Sequence, residues 1–154
     1  MNHLVLIPTY NTGARVLQTV EEAKREWQPI WVVVDGSTDG STQALLAQQD
    51  AHLRVMVLER NQGKGAAVLH GLRAAREAGY THALVMDADG QHPAARIREF
   101  MAASQANPDA QVLGVPPFGA NAPLERVLWR KMSNFWVDFE TLWEPLDAAL
   151  RLRR

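Results

Sequence analysis

Residues 83–93 read Ala83-Leu84-Val85-Met86-Asp87-Ala88-Asp89-Gly90-Gln91-His92-Pro93. An apolar run of strand length ends in two carboxylates, and Pro93 stands at a favoured first helical position. A strand opening into a polar loop and then a helix is the repeating unit of a parallel sheet. The same loop carries chemistry. Carboxylates this close repel each other unless a cation or a donor sits between them. Their hard oxygens, with the Gln91 amide nearby, suit Mg2+ or Mn2+ carrying a substrate's phosphates. Paired aspartates are common in loops, so it is the position at a strand end that gives these weight.

Outward from this stretch the pattern repeats. Short apolar runs with β-branched residues occur at Leu4–Ile7, Ile30–Val34, Leu53–Leu58 and Ala110–Leu113. Their brevity and lack of alternation predict strands buried on both faces. Helical patterns lie between them. Val16, Leu17, Val20, Ala23 and Trp27 mark the first, and Leu45 and Leu46 the second. The third runs from Ala66 to Ala78 and stops at Gly79. The fourth starts at Pro93 and includes Ile97, Phe100 and Met101. Strands alternating with helices predict a three-layer α/β domain with a mainly parallel sheet.

The 154 residues suit one domain over 1–154, and a hydrophobic fraction of 47% suffices for its core. A net charge of −1 gives no field that would draw nucleic acid. With no cysteine, thiolate metal sites and a cysteine nucleophile are excluded. The N-terminus lacks a basic leader, and no apolar run nears the ~18 residues of a membrane span. The expected location is the cytoplasm, with contact at the inner face of the cell membrane left open. Residues 114–123, with three prolines and two glycines, read as a loop. An amphipathic helix is predicted over about 124–146, striped by Leu128, Met132, Phe135, Phe139 and Leu142. Trp129, Trp136 and Trp143 flank that stripe. The helix either packs on the sheet or offers a surface to a lipid, a partner chain or an oligomer.

Ligands of parallel α/β sheets bind beyond the carboxyl ends of the strands. Four polar loops gather there: Pro8 to Gly13, Asp35 to Ser41, Arg60 to Gly65, and the Asp87–Asp89 segment. Gly63-Lys64-Gly65 meets a helix N-terminus, whose free N–H groups attract anions such as a diphosphate. It is otherwise an ordinary turn with an exposed lysine. No Ser or Thr follows Gly63-Lys64, so it is not a Walker A loop. Asp35 either caps the second helix or accepts bonds from a base or ribose. Asp39 reads as a cap or turn residue. Tyr10 stacks on a ligand or packs its own loop. His92 is a cap, a ligand or a phosphate contact.

In this order the four loops resemble glycosyltransferase family 2, nucleotide-sugar transferases of the GT-A fold. Ile7-Pro8-Thr9-Tyr10-Asn11 looks like that family's opening. Val32 to Ser41 looks like its second-strand motif, and Asn61-Gln62-Gly63-Lys64-Gly65-Ala66-Ala67 like its third. Asp87-Ala88-Asp89-Gly90-Gln91-His92 is similar to the dolichyl-phosphate mannose synthase-like bacterial branch. The resemblance implies that Pro8, Tyr10, Val33 and Asp35 line a nucleoside pocket with Lys64 near the donor. It implies that Asp87, Ala88 and Asp89 meet ribose, diphosphate and metal. The implied metal ligands are Asp87, Asp89 and Gln91. Arg130 and Lys131 are implied to pair with donor or acceptor phosphate.

The chain departs from the family at Thr12, where an acid is frequent, and at Val34, where Asp is frequent. The Cys-Gly-Phe-Arg-like segment on the family's acceptor side is missing, so a shortened member is expected.

The function expected from the resemblance is metal-dependent, inverting transfer from a UDP- or GDP-linked sugar. A polyprenyl-phosphate acceptor is already ionised and needs no general base, and no residue here is securely placed as one. The alternative is a nucleotide-sugar-binding remnant, non-catalytic or completed by another chain. A nicotinamide dehydrogenase is disfavoured because Pro8–Gly13 lacks the glycine fingerprint. A nucleotidyltransferase is disfavoured by the missing basic, glycine-rich loop after the first strand.

Overall fold

A computed structural model describes residues 2–114. The element order is β1 (His3–Thr9), α1 (Arg15–Glu26), β2 (Ile30–Asp35), α2 (Ser41–Ala47), β3 (Leu53–Leu58), α3 (Lys64–Glu77) and β4 (His82–Val85). A 3-10 turn (Ala94–Arg96) then leads into α4 (Ile97–Ala106). All of these lie in one compact unit that ends at Ala106. Asn107 begins a second unit, of which residues 107–114 are described. The predicted 114–123 loop and 124–146 helix fall essentially outside the described residues.

The sheet is wholly parallel in the order β3-β2-β1-β4. The chain steps outward from β1 to β3, then returns through α3 to the far side of β1. Right-handed crossovers in opposite directions must lie on opposite faces of a sheet. The core obeys this rule. Val5 and Ile7 face the side of Val16 and Val20 of α1, Leu45 of α2 and Ile97 of α4. Leu4 and Leu6 face Ala67 and Ala75 of α3. The α/β, three-layer expectation is therefore met.

Helix α3 lies unusually close to the sheet. Its buried residues are Ala67, Gly71 and Ala75, spaced one helical turn apart. A Cβ at Gly71 would fall 2.5 Å from a Leu6 methyl carbon and 3.0 Å from one of Val33. Glycine is required there by proximity.

The structure differs from the sequence expectations in three places. Burial on both faces holds for β1 and β2 but not for the edge strands, where Arg54, Val57 and Val85 are exposed. Helix α4 begins at Ile97, because Pro93 adopts ψ 115 and the chain first makes a 3-10 turn. The predicted strand at Ala110–Leu113 is absent. Asn107-Pro108-Asp109-Ala110 instead forms a turn closed by Ala110 N donating to Asn107 O at 3.0 Å. Asn and then Pro are the residues favoured at the first two turn positions. The run that follows contains polar Gln111 and only one β-branched residue, Val112.

Gly36 joins β2 to its loop with φ +67, and a Cβ there would meet Asn61 N at 2.4 Å and Arg60 C at 2.5 Å. Both obstacles are backbone and cannot rotate away. A Gly36→Ala variant should lose about 2 kcal/mol or more of stability. Urea unfolding followed by circular dichroism measures this, and an unchanged midpoint would show that the 60–61 backbone yields freely.

Candidate functional site

The strand order reverses at β1, whose neighbours β2 and β4 are reached in opposite directions. At such a point adjacent loops diverge and leave a crevice. Here it is a cleft of about 320 Å³. Pro8, Thr9, Tyr10 and Thr12 form one wall. Asp35, Asn61, Gly63, Lys64 and Ala67 form the second, and Asp87, Ala88 and Asp89 the third.

Asp35 is only 2% exposed, and a buried carboxyl group must find donors. Its two oxygens accept from Gln62 N and Gly63 N, each at 2.8 Å. It does not cap α2, whose N-cap is Gly40 with no side-chain cap bond. Neither role read from the sequence describes this contact: Asp35 holds the loop that starts α3. It still reaches the cleft wall. No side chain caps α3 itself. Its first-turn N–H groups therefore remain available beside the cleft, with Lys64 among them.

A second set of bonds joins the β1 and β2 loops. Asn11 sits at φ 49, its N–H donates to Ser37 Oγ at 3.0 Å, and its Oδ1 accepts from Thr38 N at 2.8 Å. Gly13 N donates to Asp39 Oδ2 at 2.7 Å. Asp39 Oδ1 accepts from Ser41 Oγ at 2.6 Å and Ser41 N at 3.1 Å. The Ser41 hydroxyl, helped by the Gly13 N–H, holds the Asp39 carboxyl below the ordinary carboxylate range. Asp39 is thus the turn residue its sequence context predicts. Thr9 and Thr12 share a hydroxyl contact of 2.6 Å on the cleft wall.

The Asp87–Asp89 loop is anchored from α1, where the buried Thr19 hydroxyl donates to Ala88 O at 3.2 Å. Gly90, at φ 76, turns the chain so that Gln91 N donates to Asp89 Oδ1 at 2.9 Å. Asp87 faces α3. Lys64 Nζ lies 2.5 Å from its Oδ1 and His92 Nε2 3.4 Å from its Oδ2. Partial burial works against the Asp87 charge, but the Lys64 ammonium outweighs it, with His92 adding, and the net shift is downward. His92 caps no helix, since Pro93 precedes the 3-10 turn with no side-chain cap bond.

The cleft thus gathers Pro8, Tyr10, Asp35, Lys64, Asp87, Ala88 and Asp89 of the expected residues. Val33 is fully buried beneath α3 and forms no part of the cleft wall. Gln91 is exposed outside that wall. Arg130 and Lys131 lie outside the described residues. Gly63 belongs to the turn already read as an anion site, whereas Thr9, Asn61 and Ala67 are given no role of their own by the sequence, although each stands in or beside one of the four loops. Their signal was proximity to a strand end.

Among the described residues no three carboxylate or imidazole side chains converge as a closed metal cage. Asp87 and Asp89 nonetheless fit a hard cation that brings phosphate oxygens as its remaining ligands, the usual arrangement for Mg2+.

Residues 4–149 match the family model described as Glycosyl transferase family 2. The chain belongs to that family. A relative, polyprenol monophosphomannose synthase of Mycolicibacterium smegmatis, is 31% identical over 147 residues, covering 88% of this chain and 54% of that protein. Undecaprenyl-phosphate 4-deoxy-4-formamido-L-arabinose transferase of Salmonella choleraesuis is 28% identical over 113 residues, covering 64% of this chain and 32% of that protein. The chain spans about half or less of the length of these relatives. The likeness to the bacterial dolichyl-phosphate mannose synthase-like branch is borne out.

Two outcomes follow from this geometry. Asp35→Asn keeps one acceptor but turns an NH2 group toward a backbone N–H, which should cost about 1–3 kcal/mol. Hydrogen exchange at the Gln62 and Gly63 amides should rise with it, and unchanged protection would mean another group holds the loop. Asp39 has a lower pKa folded than unfolded. Its contribution is therefore complete above the unfolded value and disappears as pH falls through the folded one. Asp39→Asn should accordingly lose less stability than the wild type between about pH 5 and pH 2. Equal acid sensitivity in the two proteins would assign that loss to other carboxylates.

Proposed function

We propose that this chain binds the donor for metal-dependent, inverting transfer of a sugar from a nucleotide-diphosphate sugar to a polyprenyl phosphate. One observation carries the reading. The uncapped α3 N-terminus and Lys64 face Asp87 and Asp89 across a single cleft at the point where strand order reverses. This arrangement offers an anion site and a cation site a few ångströms apart, as a diphosphate–metal pair requires. The names of the relatives, one a polyprenol monophosphomannose synthase and one an undecaprenyl-phosphate transferase, support the lipid-phosphate acceptor.

The roles follow from position. Pro8 and Tyr10 flank the nucleoside, with Asp35 accepting from base or ribose through lone pairs its backbone bonds leave free. Asp87 and Asp89 hold Mg2+ or Mn2+, with Gln91 as a further oxygen donor. The bound ion supplies electrophilic stabilisation of the leaving diphosphate. Lys64 and the first-turn N–H groups of α3 spread the charge that builds on it. Asp87 and Asp89 are assigned to the cation, so neither is assigned as a base. An acceptor phosphate arrives ionised and attacks the anomeric carbon without one, from the face opposite the diphosphate. Arg130 and Lys131 are assigned to donor or acceptor phosphate. No helix among the described residues is long and apolar enough to cross a membrane. The reading places the reaction at the inner surface of the cell membrane, where a lipid phosphate is presented.

A thermal-shift series with UDP- and GDP-linked sugars, with and without Mn2+, tests this. Ligand at a hundred times its Kd should stabilise the protein by about 2.7 kcal/mol. Asp89→Ala should abolish the Mn2+-dependent part of the shift. The donor site fails if no nucleotide sugar shifts the melting curve. Binding without turnover on any acceptor, lipid phosphates included, would favour a non-catalytic or partner-completed form.

A further inference from the structure

One cation site in the cleft is contested. The carboxylate assigned to a divalent cation already has a cation on it. Lys64 Nζ stands 2.5 Å from Asp87 Oδ1, and His92 Nε2 approaches the other oxygen at 3.4 Å. A divalent ion and an ammonium cannot share one carboxylate oxygen at contact without strong mutual repulsion. Even with the ion on the other oxygen the two cations would stand close together, and their repulsion favours the departure of one. Lys64 is able to leave, because its side chain is 62% exposed and rides on a flexible four-carbon stem. It also has somewhere to go. It is the first residue of α3, whose uncapped N–H groups mark where a diphosphate would sit.

Resting on the donor-site reading, we propose that Lys64 is the resident counter-ion of Asp87 in the ligand-free protein. It transfers to the donor's diphosphate when the nucleotide binds, and only then is Asp87 released to a divalent cation. Three consequences follow. The free protein binds divalent ions weakly. Nucleotide and cation bind with positive coupling, each raising the other's affinity by the same factor. Removing the Lys64 ammonium uncouples them. The bland account makes Lys64–Asp87 an ordinary exposed pair of little energetic consequence. It predicts no change in cation binding when the lysine is replaced.

The experiment is Mn2+ binding followed by electron paramagnetic resonance, first without nucleotide, on the 154-residue wild-type chain, Lys64→Met and Lys64→Arg. Circular dichroism melts confirm that each variant is folded. Lys64→Met should bind Mn2+ roughly three- to tenfold more tightly than the wild type, the size expected for loss of one nearby partly exposed charge. Lys64→Arg keeps the charge and should stay near the wild type. Adding saturating UDP or GDP should tighten Mn2+ binding in the wild type and do so less in Lys64→Met. Equal or weaker Mn2+ binding by Lys64→Met in the absence of nucleotide overturns the proposal, and so does undetectable binding by both proteins. Failure of the wild type to bind UDP or GDP sinks the donor-site reading instead, while the nucleotide-free comparison still decides whether Lys64 and the cation compete.

Discussion

A carboxyl group buried to 2% exposure needs hydrogen-bond donors, and Asp35 obtains both of its own from a single loop. The bond pair does more than satisfy a buried polar group. It ties the end of a central strand to the residues that launch α3. With Gly36 packed against the backbone of Arg60 and Asn61, the second and third loops are joined into one body. Lys64 leaves that body at a fixed place. The opposing loops are fixed as well, through Asn11 and Asp39 on one side and Thr19 on the other. The cleft is therefore held by bonds behind its surface, and its lining side chains are left to face a ligand.

The position of the cleft follows from the order of the strands. A chain that builds outward and then returns past its first strand must separate the loop after that strand from the loop after the strand it returns to. Pro8–Thr12 and Asp87–Asp89 are the loops so separated, and the α3 N-terminus closes the third side. Membership of glycosyl transferase family 2 fits a site built in this way. One wall carries the α3 N-terminus and Lys64, and another the carboxylates of Asp87 and Asp89.

Much of this was legible in the sequence because it depends on local pattern. The runs at Leu4–Ile7, Ile30–Val34 and Leu53–Leu58 are dense in β-branched residues, and each became a strand within one or two residues of its predicted ends. The run at Ala110–Leu113 failed because Asn107-Pro108 bends the chain first. The long-range partners were not legible. Asp35 bonds to residues 27 and 28 positions away, a relation no periodicity encodes. Val33 and Asp35 share a sheet face by strand alternation, as a common pocket role requires. Val33 lies one step deeper, however, and α3 covers it. Val34 turns its side chain into the opposite layer, against α1 and α2. An aspartate there would start from that layer.

The stripe of Ala67, Gly71 and Ala75 has a geometric meaning for the site. A helix is a stiff rod, and Gly71 lies about 10 Å along it from Lys64. The height of α3 above the sheet is set at Gly71 by hydrogen atoms alone, against the methyl groups of Leu6 and Val33. Any bulk at that point would act as a fulcrum, tilting the rod and lifting its first turn away from Asp87. The gap between cationic and anionic walls is thus gauged by an apolar contact about two turns away. In this protein the calibration of an electrostatic site is a matter of core volume.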